Sequence, residues 1–169
     1  EVSIAASTFT HSGNILTINL DTTMIPGDTF QIAIKYHHNN VNDYAFYAKN
    51  GFVFTDCEPE GARCWFPCYD RTSDKAQWEL TAKVPSNVKL GSNGILQDSV
   101  KIADTIYYTW KSDENVATYL IALTSRTNYN LKIINYTNPN DTSEHFPFRF
   151  YYNQGENPQN IINVIDDVT

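Results

Sequence analysis

The segment from Gly51 to Leu80, GFVFTDCEPEGARCWFPCYDRTSDKAQWEL, holds all three cysteines, two of the three tryptophans and a cluster of acids around Arg63. Thiols, carboxylates and a guanidinium at such density are the raw material of a metal site, a nucleophile or an ion-binding loop. Cys57, Cys64 and Cys68 are odd in number, so at most one pair can bridge and no disulfide framework exists. On an extended strand Cys64 and Cys68 would lie about 13 Å apart, too far to bond. In a helical turn they could approach. A zinc knuckle needs closer Cys-x-x-Cys spacing and a fourth ligand. The favoured reading is buried or half-buried free thiols. The four histidines, His11, His37, His38 and His145, show no metal-ligand spacing. His37 and His38 would point to opposite faces of a strand and are expected at the surface. Arg63, flanked by Glu58, Glu60, Asp70 and Asp74, is expected to form a bidentate carboxylate pair that fixes the loop.

The elements that must carry this loop read as strands. NILTINL (14–20) alternates apolar and polar after the turn Ser12-Gly13, and TFQIAIKY (29–36) does so after Pro26-Gly27-Asp28. QWELTAKV (77–84) has the cleanest period of two, with Trp78, Leu80, Ala82 and Val84 on one face, and Pro85 stops it. Val88–Leu90 leads into Ser92-Asn93-Gly94, a hairpin-type turn. KIADTIYYTWK, ATYLIAL, LKIINYT and FPFRFYY follow, and ATYLIAL is apolar enough for a central strand. Turn signals recur and no strand–helix–strand alternation is visible. The expected fold is an all-β, layered antiparallel structure.

Composition narrows the function. The chain has 169 residues, 14% aromatic, with 12 basic against 19 acidic residues and a net charge of -7. A duplex nucleic-acid partner would call for a basic face, so nucleic acid is not expected. No window of about 20 apolar residues is present, so no membrane-spanning helix is expected. Low charge density and abundant Asn, Thr and Tyr lean towards a secreted or periplasmic location. Asn135-Tyr-Thr and Asn140-Asp-Thr match the glycosylation sequon, a tripeptide common in chains of this composition.

TDCEPEGARCWFPCYDRTSDKAQWELTAKVPSNVKLGSNG resembles the N-terminal domain of the M1 family of zinc aminopeptidases. The family pattern is roughly T-Q-x-E/Q-P/A-x-x-A-R-x-x-F-P-C-x-D-E-P-x-x-K-A-x-[FW]. Thr55, Glu58, Pro59, Ala62, Arg63, Phe66, Pro67, Cys68, Asp70, Lys75, Ala76 and Trp78 stand in register with it. YYTWKSDENVATYLIAL is similar to a later strand pair of the family, so the likeness runs from about Gly51 to Leu123. It implies a saddle-like antiparallel β-sandwich that packs on a thermolysin-like catalytic domain and starts some strands earlier than Glu1. The zinc would lie in that catalytic domain, in a His-Glu-x-x-His helix, and no metal ligand or catalytic residue is expected in this chain. The resemblance gives residues 1–155 to the β domain and 156–169 to a linker and the first helix of the catalytic domain.

That helix has its own signals. Ile161, Val164, Ile165 and Val168 fall on one helix face, with Asn157 as N-cap and Pro158 as first residue. Asp166 and Asp167 are unfavourable at a helix C-terminus, so the helix is expected to run on past Thr169.

In the family the T-Q-x-E/Q turn reaches the active site, and its Glu or Gln binds the free α-amine of a peptide substrate. By position Glu58 is the amine binder, and Asp56 stands where the family often has Gln in the pocket wall. Arg63, Pro67 and Asp70 are expected to shape the loop. The sequence departs from the family at Asp70-Arg71-Thr72, where D-E-P is usual. Two other readings compete. A secreted β-sandwich module for carbohydrate or protein adhesion would use Trp65, Trp110 and tyrosines near Tyr107 as stacking platforms. An M1-like protein with a decayed zinc site would keep the shape without the chemistry.

Overall fold

The computed structural model describes residues 8–38, 44–159 and 163. Thirteen strands and two short 3-10 turns, Ala62–Cys64 and Thr118–Leu120, order the described chain. The strands are β1 (Phe9–Ser12), β2 (Ile15–Ile18), β3 (Phe46–Lys49), β4 (Phe52–Thr55), β5 (Lys75–Ala76), β6 (Glu79–Pro85) and β7 (Val88–Ser92). Then come β8 (Ile95–Ile102), β9 (Thr105–Lys111), β10 (Val116–Ala117), β11 (Leu123–Thr127), β12 (Asn130–Thr137) and β13 (His145–Tyr152). Every pairing among the described residues is antiparallel, which bears out the all-β expectation.

A four-stranded sheet has the order β3-β4-β11-β7, and a three-stranded sheet the order β6-β9-β8. The pairs β1-β2, β5-β10 and β12-β13 form separate ribbons. The alternation of β6 holds as read: Leu80, Ala82 and Val84 are half-buried while Glu79, Thr81 and Lys83 are exposed. Their cross-strand partners Trp110, Tyr108 and Ile106 continue that inner face. Trp110 is the largest fully buried side chain, 2% exposed, with the Arg149 guanidinium over its ring. The Tyr108 hydroxyl reaches Val88 O and the Tyr151 hydroxyl reaches Leu90 O, tying both the three-stranded sheet and the β12-β13 ribbon to β7.

Three strand expectations are corrected. Residues 29–36 join no ladder, and Phe30, Ile32, Ile34 and Tyr36 are exposed. Alternation alone cannot supply a partner for the backbone groups, and none pairs with them among the described residues. The Ser92-Asn93-Gly94 turn does not make a hairpin: β7 pairs with β11 and β8 with β9, so the turn passes the chain between sheets. Gly94 has φ of +83° and an added Cβ would lie 2.4 Å from Lys111 O, so both conformation and space demand glycine. The central strand β11 starts only at Leu123, the last residue of ATYLIAL; Thr118–Leu120 form a 3-10 turn and Ala117 ends β10. The Asn93 side chain holds the preceding segment by donating to Leu120 O and accepting from the Ala122 N–H.

Near the end of the chain, the Asn157 side chain accepts from the Gln159 N–H at 3.0 Å, the bond of an N-cap. The helix face expected at Ile161, Val164, Ile165 and Val168 lies outside the described residues.

Candidate functional site

The β3-β4 hairpin presents the dense segment. Its turn, Asn50-Gly51, has positive φ at both residues, the conformation a two-residue hairpin prefers. That Asn-Gly signal was visible in the sequence and marks a hairpin the strand reading passed over. Beyond Thr55 the strand becomes a loop without losing its anchor, because the Asp56 N–H donates to Ala45 O at 2.9 Å. The Gly61 N–H then donates to Cys57 O at 2.7 Å and closes a tight turn over 57–61. Gly61 permits that closure: an added Cβ would lie 2.9 Å from Ala45 Cβ and 3.1 Å from Cys57 Cα.

Within the turn the side chains divide by chemistry. Cys57 points inward, 3% exposed, into a core with Ala45 and Ala62 on which Cys64, Trp65, Phe66, Cys68 and Tyr119 pack. Asp56 and Glu58, on either side of it, are exposed. Neither carboxylate has a hydrogen bond or ion pair among the described residues. The buried thiol thus roots a loop that leaves two carboxylates exposed.

All three thiols are free, as expected. Burial, with the nearby Asp70 charge adding to it, pushes the Cys68 thiol up to about 12. At neutral pH it is protonated and no nucleophile. Among the described residues no group of three His, Cys, Asp or Glu could hold a metal ion. His37 is exposed and His38 is half-buried with its ring 4.7 Å from Phe46. What the loop offers is two exposed carboxylates, Asp56 and Glu58.

The scaffold behind the acids is an ion network. Asp70, its side chain 4% exposed, accepts from Arg63 Nε at 2.8 Å, from the Arg63 N–H at 3.2 Å and from the Thr118 hydroxyl at 3.0 Å. Arg63 Nη2 turns instead to Glu60 Oε2 at 3.1 Å. The guanidinium therefore divides between two carboxylates and does not pair with one in the bidentate way expected; the loop and Asp70 approach it from different sides. These bonds, the one to Asp70 foremost, hold the Arg63 proton more firmly than usual. Pro67 is exposed in the irregular stretch between the 3-10 turn and Asp70. Glu60, one of the acids expected around Arg63, and Arg71, which the sequence reading left without a partner, complete the network: Arg71 Nη1 donates to Glu60 Oε1 at 3.0 Å and Oε2 at 3.2 Å.

The aromatic platforms of the adhesion reading are not laid out for stacking. Trp110 is buried, Trp65 is half-buried edge-on to Phe66, and Tyr107 is half-buried beside Lys83. A hollow of about 370 Å³ lies at the far end of the hairpin, lined by Tyr47, Lys49, Asn50, Phe52, Phe54 and Arg126, away from Glu58.

Residues 1–120 match the family described as the peptidase M1 N-terminal domain. The chain belongs to that family. Aminopeptidase M1 of Arabidopsis thaliana is 27% identical over 88 residues, which are 52% of this chain and 9% of that protein. Among solved structures, a substrate-bound mutant of the M1 zinc metallopeptidase of Deinococcus radiodurans superposes with a TM-score of 0.69 at 16% identity, over 92% of this chain and 38% of that one. Aminopeptidase A of Legionella pneumophila gives 0.57 at 24% identity, over 66% of this chain and 13% of its own. The chain thus spans well under half the length of these relatives. In this M1 N-terminal domain, Glu58 is exposed on a turn rooted by the buried Cys57.

Proposed function

We propose that this chain is the non-catalytic N-terminal domain of a zinc-dependent M1 aminopeptidase that removes N-terminal residues from peptides. It packs on a catalytic domain of the same protein and lends that domain's active site the 55–60 loop. On this reading the zinc belongs to that catalytic domain.

The observation that carries this reading is the exposed Glu58 carboxylate, unengaged on a turn whose backbone is closed by the 2.7 Å bond from Gly61 to Cys57. An exopeptidase must tell a terminal ammonium from an internal amide. A carboxylate held at hydrogen-bond distance from the ammonium makes a charge-assisted bond that an amide nitrogen cannot replace. Preorganisation matters because a wandering loop would lose binding energy in ordering itself. Asp56, on the same exposed side, would stand in the wall of the adjoining pocket.

Glu58→Ala in the full-length protein tests this. With alanine p-nitroanilide as substrate, kcat/KM is expected to fall about tenfold or more, for one lost charge-assisted bond. Kinetics equal to those of the unaltered enzyme would remove Glu58 from the site. An unaltered full-length protein with no peptidase activity would instead favour an M1-like protein with a decayed zinc site.

A further inference from the structure

We infer that the Glu60–Arg71 pair is a positioning device for Glu58: Arg71 clamps the 57–61 turn from outside and so sets where the substrate-binding carboxylate stands. The inference rests on the amine-binding reading above and adds two residues that do not touch substrate.

The geometry starts at Glu60, two residues beyond Glu58 in the same closed turn. Its carboxylate is gripped by Arg71 Nη1 at both oxygens, 3.0 and 3.2 Å, and by Arg63 Nη2 at 3.1 Å. Its carbonyl oxygen accepts from Arg63 Nε at 3.2 Å and from the Tyr44 hydroxyl at 3.4 Å. Residue 60 is therefore the fixed end of the turn, and Glu58 is the projecting part. Arg63 is in turn bound to the buried Asp70, which connects the clamp to the core.

An isolated pair as exposed as this one, 59% at Arg71 and 35% at Glu60, would contribute little. Here it closes a network of two arginines and two carboxylates, the arrangement in which surface charges do hold geometry. The sequence supports the pairing from both ends. Position 71 carries an acid in the family pattern, and an acid there would repel Glu60. The basic residue at 71, with Arg63, balances the acid at 60. The clamp also occupies Glu60, leaving Glu58 and Asp56 as the exposed carboxylates of the turn.

The test is a double-mutant cycle in the full-length enzyme: Arg71→Gln, Glu60→Gln and the double variant, with Glu58→Ala alongside and alanine p-nitroanilide as substrate. Each single change is expected to raise KM roughly 2- to 5-fold with kcat within about twofold, the size of one network ion pair. The double variant should be no worse than either single one, because both remove the same contact. Arg71→Lys should keep the original KM, since Arg71 reaches both oxygens through one nitrogen. A purely structural role would lower thermal stability without raising KM. If Glu58→Ala raises KM and the cycle variants do not, or if their effects multiply, the positioning inference falls and the amine-binding reading stands. If Glu58→Ala leaves kcat/KM unchanged, both fall. Should Arg71→Gln fail to fold, Arg71→Lys and Glu60→Gln decide: a raised KM in the lysine variant or an unchanged one in the glutamine variant overturns the inference.

Discussion

Thr118 and Asp70, 48 residues apart in sequence, are joined by a 3.0 Å hydrogen bond from the Thr118 hydroxyl to Asp70 Oδ1. The other oxygen takes both the backbone N–H and Nε of Arg63. One buried carboxylate thus ties the candidate loop to the turn that precedes β11. Asp70→Ala would leave the Arg63 guanidinium and the Thr118 hydroxyl without their acceptor. The expected loss is about 2–4 kcal/mol of unfolding free energy, at the lower side of a fully buried pair because Arg63 is part-exposed. Asp70→Asn keeps an acceptor for one partner and should fall between. Urea denaturation of the full-length protein and both variants measures this; a loss below about 0.5 kcal/mol would mean the network holds nothing.

How much of this was legible depended on whether a signal was local. The face of β6 could be read because that strand alternates between two environments, and β12 and β13 because runs of β-branched and aromatic residues mark them as strands. Residues 29–36 alternate just as well, yet no strand pairs with them among the described residues; periodicity describes side chains and is silent on the ladder. The central strand lies later than expected because β11 carries Thr124, Ser125 and Arg126, whereas residues 118–122 of the more apolar ATYLIAL are held out of the sheet by Asn93, which lies 27 residues before Leu120. Glu58 and Asp56 could be named from a motif and are found exposed on one turn. The Glu60–Arg71 pair was not legible, because nothing in the spacing of two surface charges says that a turn folds them together.

Two half-buried groups, Cys68 and Tyr151, give stability a dependence on alkaline pH. Burial pushes the Cys68 thiol from its ordinary 9.0 up to about 12 and the Tyr151 phenol from 10.0 up to about 12. Above pH 9 the unfolded chain releases the Cys68 proton while the folded chain keeps it. The folded state then binds more protons, so stability falls as pH rises. These groups contribute no slope below about pH 9 and a progressive loss from 9 to 12, with Tyr151 joining from about pH 10. Cys68→Ser should move the onset from near 9 to near 10 in a calorimetric pH series. An onset unmoved by the substitution would show that Cys68 is not the group responsible.

Gly91 and Tyr151 fix the β12-β13 ribbon on the four-stranded sheet. An added Cβ at Gly91 would sit 2.5 Å from Tyr151 Cε2, and that ring is anchored by its hydroxyl to Leu90 O at 3.2 Å. Gly91→Ala is expected to cost about 1–3 kcal/mol, because the ring must give up its bond or the strand must shift. Tyr151→Leu in the same chain should relieve part of that cost. Equal denaturation midpoints for Gly91→Ala and the unaltered protein would mean the ring swings aside freely.

Asp56 gives the most specific expectation for substrate choice. It is exposed beside Glu58, and on the proposed function its carboxylate stands in the wall of the pocket for the first side chain of the peptide. A wall acid meets a cationic side chain with a charge-assisted bond and meets an aliphatic one with an unpaired charge to desolvate, so arginine or lysine should be preferred over leucine. Asp56→Asn keeps the size and removes the charge. In the full-length enzyme it should lower the ratio of kcat/KM for arginine p-nitroanilide over leucine p-nitroanilide about tenfold, the equivalent of one charge-assisted bond. Because the comparison is a ratio on one enzyme, a general loss of activity or stability cancels from it. A ratio unchanged by Asp56→Asn would place Asp56 outside the pocket and leave Glu58 as the loop's sole contact with substrate.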